Sequence, residues 1–234
     1  MRVLLVQNDE TEGLGLYERY FKESMVSQTV FHAYDLEPDD DFPPAEFYDA
    51  FIIGPTPISA NDVNDHDFLR REWEFLGALI ESGKPVLGVC CGGQMLARRL
   101  GAKVTRSPEK EVGGYEVRLT EEGLEDPLFA GFPEEFPIFH WHSDMFEVPP
   151  GGSLLAVGEP CPIQAFGCGN VRGVIFHLEI DRREAGRWAK AYPAELEAVG
   201  KTREKVLDEC REREPEMREL AYLLMDNFLG LVEE

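Results

Sequence analysis

At 234 residues the chain can enclose one sizeable core, and 43% apolar with 11% aromatic content excludes a disordered polymer. Acidic residues (45) outnumber basic ones (23), and the formal net charge of −22 argues against nucleic acid or an anionic membrane as a partner. The scarcity of lysine relative to arginine also fits a salt-adapted cytoplasm.

Arg2 to Gln7 is a continuous apolar run, the pattern of a strand buried on both faces. It is too short for a signal peptide, acidic residues follow at once, and no later run approaches membrane-spanning length, so a cytoplasmic location is expected. Leu14 to Glu23 reads as a helix, Thr29 to Leu36 as extended chain, and Tyr48 to Gly54 as a third strand. From Asp67 to Ser82, Phe68, Leu69, Trp73, Leu76, Leu79 and Ile80 repeat at helical spacing, and Gly83 supplies the stop. Lys84 to Gly101 then reads as strand, cysteine, glycine-rich turn and helix.

Beyond Gly101 the spans 114–119, 153–157, 162–167 and 171–176 read as strands, separated by Gly and Pro turns. Residues 181–234 read as charged helix, the last one entered through Pro215 with Met217, Leu220, Ala221, Leu224, Phe228 and Leu231 on one stripe. The βαβ rhythm predicts an α/β fold: a mostly parallel central sheet flanked by helices in three layers, with a C-terminal helical extension. We expect one domain over residues 1–183 and an extension, 184–234, packed on it. Reactive groups in such a sheet gather at the carboxyl ends of the strands.

Cys90 occupies the sharp bend between strand and helix, with Gly88, Gly92 and Gly93 around it. There its sulfur faces the positive end of a helix dipole, a setting that lowers a thiol pKa and suits a nucleophile. Cys91 is expected to turn back into the core, and Cys161, Cys168 and Cys210 carry no disulfide or zinc-knuckle spacing. A nucleophilic cysteine needs a base and a group that orients it. Of the five histidines, His177 ends an apolar strand, and Glu179, two residues on, projects to the same face and can hold its ring. His140-Trp141-His142-Ser143-Asp144 forms a second polar cluster. Its His-x-His pair has no third ligand at a usual spacing, so it is expected to line a pocket, and neither metal nor cofactor is predicted.

Together these pieces resemble the class I, triad-type glutamine amidotransferases, and more narrowly stand-alone proteins like the amidotransferase subunit of GMP synthase. The resemblance rests on Gly88-x-Cys90-x-Gly92-x-Gln94 and Phe176-His177-x-Glu179, supported by Ser59 to Asp62, Asp126 to Phe129, His140 to Asp144 and Cys161 to Phe166. It spans about residues 2 to 180. It implies a flavodoxin-like fold in which Cys90 attacks the carboxamide of glutamine, His177 carries the proton and Glu179 orients His177. It further implies that Gln94 and the backbone at Ser143 and Asp144 hold the amino-acid end. The oxyanion would rest on the Cys91 N–H and a second N–H after Ile53, from Gly54 or Thr56. Three departures stand out. The loop Gly54-Pro55-Thr56-Pro57 replaces the usual Gly-Gly-Pro, Leu178 replaces the commonest proline, and residues 181–234 lie outside the shared core.

Three functions stay open: an amidotransferase that passes ammonia to a separate ATP-dependent synthetase, a partner-independent γ-glutamyl hydrolase, and a catalytically silent binding or regulatory homologue. The substrate is accordingly glutamine or another γ-glutamyl compound.

Overall fold

A computed structural model describes residues 1–37 and 39–232. In chain order its main elements are β1 (Arg2–Gln7), α1 (Gly15–Glu23), β2 (Ser27–His32), β3 (Ala50–Ile53), α2 (Asp67–Ser82), β4 (Val86–Val89) and α3 (Cys91–Arg99). There follow β5 (Val104–Leu119), α4 (Glu121–Glu125), β6 (Glu135–Phe146), β7 (Ser153–Val157), β8 (Ala165–Cys168), β9 (Val171–Val174), α5 (Arg182–Ala191), α6 (Pro193–Ala198) and α7 (Arg203–Gly230). Among the described residues these make one nine-stranded sheet of order β2-β1-β3-β4-β9-β8-β7-β5-β6.

The sheet is parallel from β2 to β9 and antiparallel from β9 to β6, hence mixed. Alternation along β1 explains its burial on both faces. Val3 and Leu5 join a core layer with α1, α5 and α7, while Leu4 and Val6 join the opposite layer with α2 and α3. Three layers result, helices on both faces of the sheet. Gly83, at φ 72°, ends α2 in the left-handed conformation, as its position in the sequence suggests.

Two strands differ from the sequence reading. β5 begins ten residues before the expected Gly114, and β6 was not expected as a strand. Residues 136–142 of β6 are all buried, so the period-2 signal is missing. The early part of β5 is charged and carries an irregularity between Arg106 and Glu111, which makes it read as loop. The final helix also differs. α7 starts at Arg203, capped by the Thr202 hydroxyl accepting from the Lys205 N–H at 3.2 Å, and runs straight through Pro215. Its Met217, Leu220, Ala221, Leu224 and Phe228 are buried, and a fully buried leucine or phenylalanine contributes about 1.5–3 kcal/mol each.

Candidate active site

The parallel pair β4–β9 is what assembles the site. Val89 lies in register with Val174, so the residues leaving both strands emerge at the same edge of the sheet. Cys90 follows β4 directly and its N–H donates to the Val174 carbonyl at 2.8 Å. Three residues further on, His177 bridges to Phe139 of β6 through backbone hydrogen bonds of 2.8 and 3.0 Å.

Cys90 has φ 50° and ψ −111°, a backbone state that costs a non-glycine residue about 1–3 kcal/mol. The glycines serve close packing at this bend. A Cβ on Gly92 would stand 2.2 Å from the Ile53 carbonyl oxygen, and one on Gly88 would meet the Gly92–Gly93 backbone at 2.6 Å. Helix α3 can therefore start directly on β3 and β4, with Cys90 thrust toward a cleft of about 460 Å³. The cleft is lined by Cys90, Cys91, Gln94, Ser143 and Asp144 from the sequence-predicted set.

Cys90 is buried, only 6% exposed, and its thiol pKa runs against the expectation. Burial pushes the Cys90 thiol well up, and the charges of Glu12, Glu179 and Asp144 add to this, while the Cys91 N–H opposes it. In the free protein desolvation outweighs the helix terminus, so the thiol holds its proton until a base takes it. His177 is fully buried, and its Nδ1 and Glu179 Oε1 are 2.5 Å apart. The Trp188 ring packs edge-on at 4.9 Å between centroids and fixes the imidazole plane. The opposite nitrogen, Nε2, has no hydrogen-bond partner among the described residues.

Around the oxyanion position the structure corrects one expectation. The Gly54 N–H donates to the Val6 carbonyl at 2.9 Å and is unavailable to a substrate. Pro55 and Pro57 have none, which leaves Thr56 as the loop's remaining candidate beside the Cys91 N–H. Asn8 anchors this loop, its Nδ2 donating to the Gly54 carbonyl at 3.1 Å and to Glu72 at 3.0 Å. Cys91 is turned inward as expected, its thiol donating to the Ile58 carbonyl at 3.2 Å. The Asp144 carbonyl accepts from Gln94 Nε2 at 3.1 Å and from His142 Nδ1 at 3.0 Å. Its carboxylate accepts from Ser59 Oγ at 2.7 Å and pairs with Arg106 at 3.1 Å. Asp144 thus braces the pocket wall, with both carbonyl lone pairs already engaged.

Several cleft residues escaped the sequence reading. Glu12 follows β1 and lines the cleft, its carboxyl pushed up to about 8 by burial and by neighbouring acids, against a hydrogen bond from Tyr192. Its position past the carboxyl end of a central strand was the one available signal. Tyr192 and Glu195 come from the C-terminal helices. Glu195 accepts from Trp141 Nε1 at 2.5 Å and pairs with Lys110 at 2.8 Å. No pattern within residues 181–234 marks them.

The chain is an α/β protein with a strained cysteine at a strand-to-helix bend and a buried His–Glu pair past the end of the neighbouring parallel strand. Residues 15–188 match the family model described as glutamine amidotransferase class-I, and the chain belongs to that family. It is 32% identical over 185 residues to the glutamine amidotransferase-like protein YfeJ of Salmonella typhimurium, covering 76% of each chain. It is 41% identical over 105 residues to the glutamine-hydrolyzing GMP synthase of Pyrobaculum aerophilum, covering 44% of this chain and 20% of that enzyme. The match thus spans only about a fifth of that synthase's length. A crystal structure of a glutamine amidotransferase from Thermotoga maritima superposes with a TM-score of 0.89 at 28% identity, covering 100% of this chain and 99% of that one. Among the described residues no helix is long and apolar enough to cross a membrane.

Proposed function

We propose that the protein hydrolyses the side-chain amide of glutamine, or of a γ-glutamyl compound, through a thioester on Cys90. The observation that carries this is Cys90 at the strained elbow on the cleft, on the same sheet edge as His177, whose Nε2 is unpartnered while Glu179 holds Nδ1. His177 takes the thiol proton as sulfur adds to the amide carbon, and the C–N bond breaks as that proton passes to the departing nitrogen. Water then adds to the thioester, its proton going to His177 and on to the leaving sulfur. The Cys91 N–H and the Thr56 N–H are assigned to the oxyanion. Loss of one such donor typically costs about 3 kcal/mol of transition-state stabilisation. Gln94 and the Ser143 backbone are assigned to the amino-acid end, with glutamate as product. In the family setting the ammonia passes to a separate ATP-dependent synthetase.

A second reading, a partner-independent γ-glutamyl hydrolase, is favoured by one feature. Tyr192 and Glu195 of the chain's own C-terminal segment wall the cleft, so this chain itself supplies that side of the site. The same feature supports taking residues 184–234 as an extension folded onto the domain of residues 1–183, since Trp188 and Phe228 sit in the core layer that contains β1 and α1.

The test is turnover of glutamine and of a γ-glutamyl dipeptide by the wild type and Cys90→Ser. Turnover by the wild type and loss in the variant is the expected result, and preference for the dipeptide selects the second reading. Equal rates in both proteins overturn the mechanism. No turnover of either substrate, and no Cys90 labelling by an electrophilic glutamine analogue, selects the silent homologue.

A further inference from the structure

We propose that Glu111, His140 and His142 bind a divalent transition-metal ion, Zn²⁺ by ligand type, as a structural clamp in the wall of the cleft. Spacing along the chain offers the His-x-His pair no third ligand, but strand register does. Glu111 of β5 lies directly opposite His142 of β6, and His140 lies opposite Gly113. Being two residues apart on one strand, the histidines project to the same face, with ring centroids 4.6 Å apart.

The donor atoms converge. His142 Nε2 is 3.0 Å from Glu111 Oε2, His140 Nε2 is 3.7 Å from Oε1, and one ligand atom from each residue lies within 4.8 Å of the others. Neighbouring ligands of a tetrahedral zinc, each bound at 2.0–2.2 Å, stand roughly 3.3 Å apart. All three side chains are about 1% exposed. His142 Nδ1 donates to the Asp144 carbonyl at 3.0 Å, which leaves Nε2 as the ring nitrogen turned toward the Glu111 carboxylate. Both Glu111 oxygens and the Nε2 atoms of His140 and His142 lack hydrogen-bond partners among the described residues, and the Gln164 side chain neighbours the His140 ring.

A buried carboxylate and two buried imidazoles with these atoms unpaired are costly. One dication would engage the carboxylate and one ring nitrogen of each histidine at once. Two imidazoles and a carboxylate are a ligand set that zinc and its first-row neighbours accept, and three protein ligands leave one tetrahedral position. The clamp would join the irregular stretch of β5, which sends Arg106 and Lys110 into the cleft, to the part of β6 that carries Trp141, Ser143 and Asp144. It takes no part in the thioester chemistry of Cys90.

The experiment uses the full chain with Cys90→Ser, so that the elbow thiol cannot compete, stripped of metal and titrated with Co²⁺ and then Zn²⁺. One equivalent of Co²⁺ is expected to give the visible absorption of a four-coordinate ion, with displacement by Zn²⁺. Glu111→Gln and His140→Gln are expected to weaken binding by more than about 100-fold. Absence of saturable binding, or unchanged affinity in both variants, overturns the proposal. Should either variant fail to fold, X-ray absorption of the Zn²⁺-loaded parent decides. Imidazole and oxygen scattering without sulfur supports the site, and sulfur ligation overturns it.

Discussion

Glu179 is the residue at which the proposed chemistry can be probed with least disturbance. Its Oε1 is 2.5 Å from His177 Nδ1 in a fully buried pair, and Oε2 has no hydrogen-bond partner among the described residues. Because burial holds the Cys90 thiol in its protonated form, the reaction depends on a base whose tautomer is fixed, with Nδ1–H toward Glu179 and Nε2 free. Glu179→Gln keeps the shape but replaces the ionised acceptor with a neutral amide that can present an N–H to the ring and favour the wrong tautomer. We expect kcat for glutamine or γ-glutamyl hydrolysis to fall about 10²–10⁴-fold with KM nearly unchanged, as for loss of general acid–base catalysis. Steady-state kinetics check this. A variant as fast as the wild type would remove Glu179 from the mechanism.

Among the elements, α7 departs most clearly from its sequence signal. Proline usually opens a helix, yet Pro215 sits twelve residues inside one. The position is exposed, so packing does not require the ring, and the Arg211 carbonyl is denied the N–H that any other residue would donate. Pro215→Ala restores that bond and removes a helix-interior penalty of about 3 kcal/mol, offset in part by the freer unfolded chain. A net gain of about 1–2 kcal/mol is expected, seen as a Tm higher by about 2–6 °C in calorimetry. A lower Tm would mean that the backbone is not helical through residue 215. The helix is nevertheless legible downstream, because its apolar stripe has the right period. The parallel half of the sheet was legible for the same kind of reason: β1, β3 and β4 are short apolar runs, the last two marked by Gly54 and Gly88, and their order forces Cys90 to a strand end. In the antiparallel half β7, β8 and β9 were legible too, but β6 and the early part of β5 were not. The buried partners of His140 and His142 lie on β5, some thirty residues away, in a stretch that reads as charged loop, and only register brings Glu111 to them. Similarly, Gly54 looked like an oxyanion donor until the parallel pairing of β1 with β3, Val6 beside Ile53, placed the Val6 carbonyl on its N–H.

At the scale of the whole molecule, a chain with a net charge of −22 also buries carboxyl groups, and this sets how its stability responds to pH. Glu72 is fully buried beneath the loop at Gly54, and desolvation lifts its pKa from 4.5 to about 8, against the hydrogen bond from Asn8. Between those values the folded protein keeps a proton that the unfolded chain has released. Its contribution is therefore fully present below about pH 4.5 and is lost as pH rises toward 8. At ~1.4 kcal/mol per unit, the loss across that window is of the order of a few kcal/mol. Glu12, raised to about 8 mainly by burial, acts with the same sign, so the wild type should lose stability from pH 5 to pH 8 through both groups. Glu72→Gln abolishes one of the two titrations while keeping an acceptor oxygen for Asn8. The stability difference between variant and wild type should then move in the variant's favour as pH rises, because groups common to both proteins cancel. Denaturant unfolding at pH 5, 6, 7 and 8 measures that difference directly. A difference that stays flat over this range would mean that Glu72 is ionised in the fold. The Asn8–Glu72 contact beneath the loop at Gly54 would then be a charged hydrogen bond, with the loop held by the carboxylate rather than by the neutral acid.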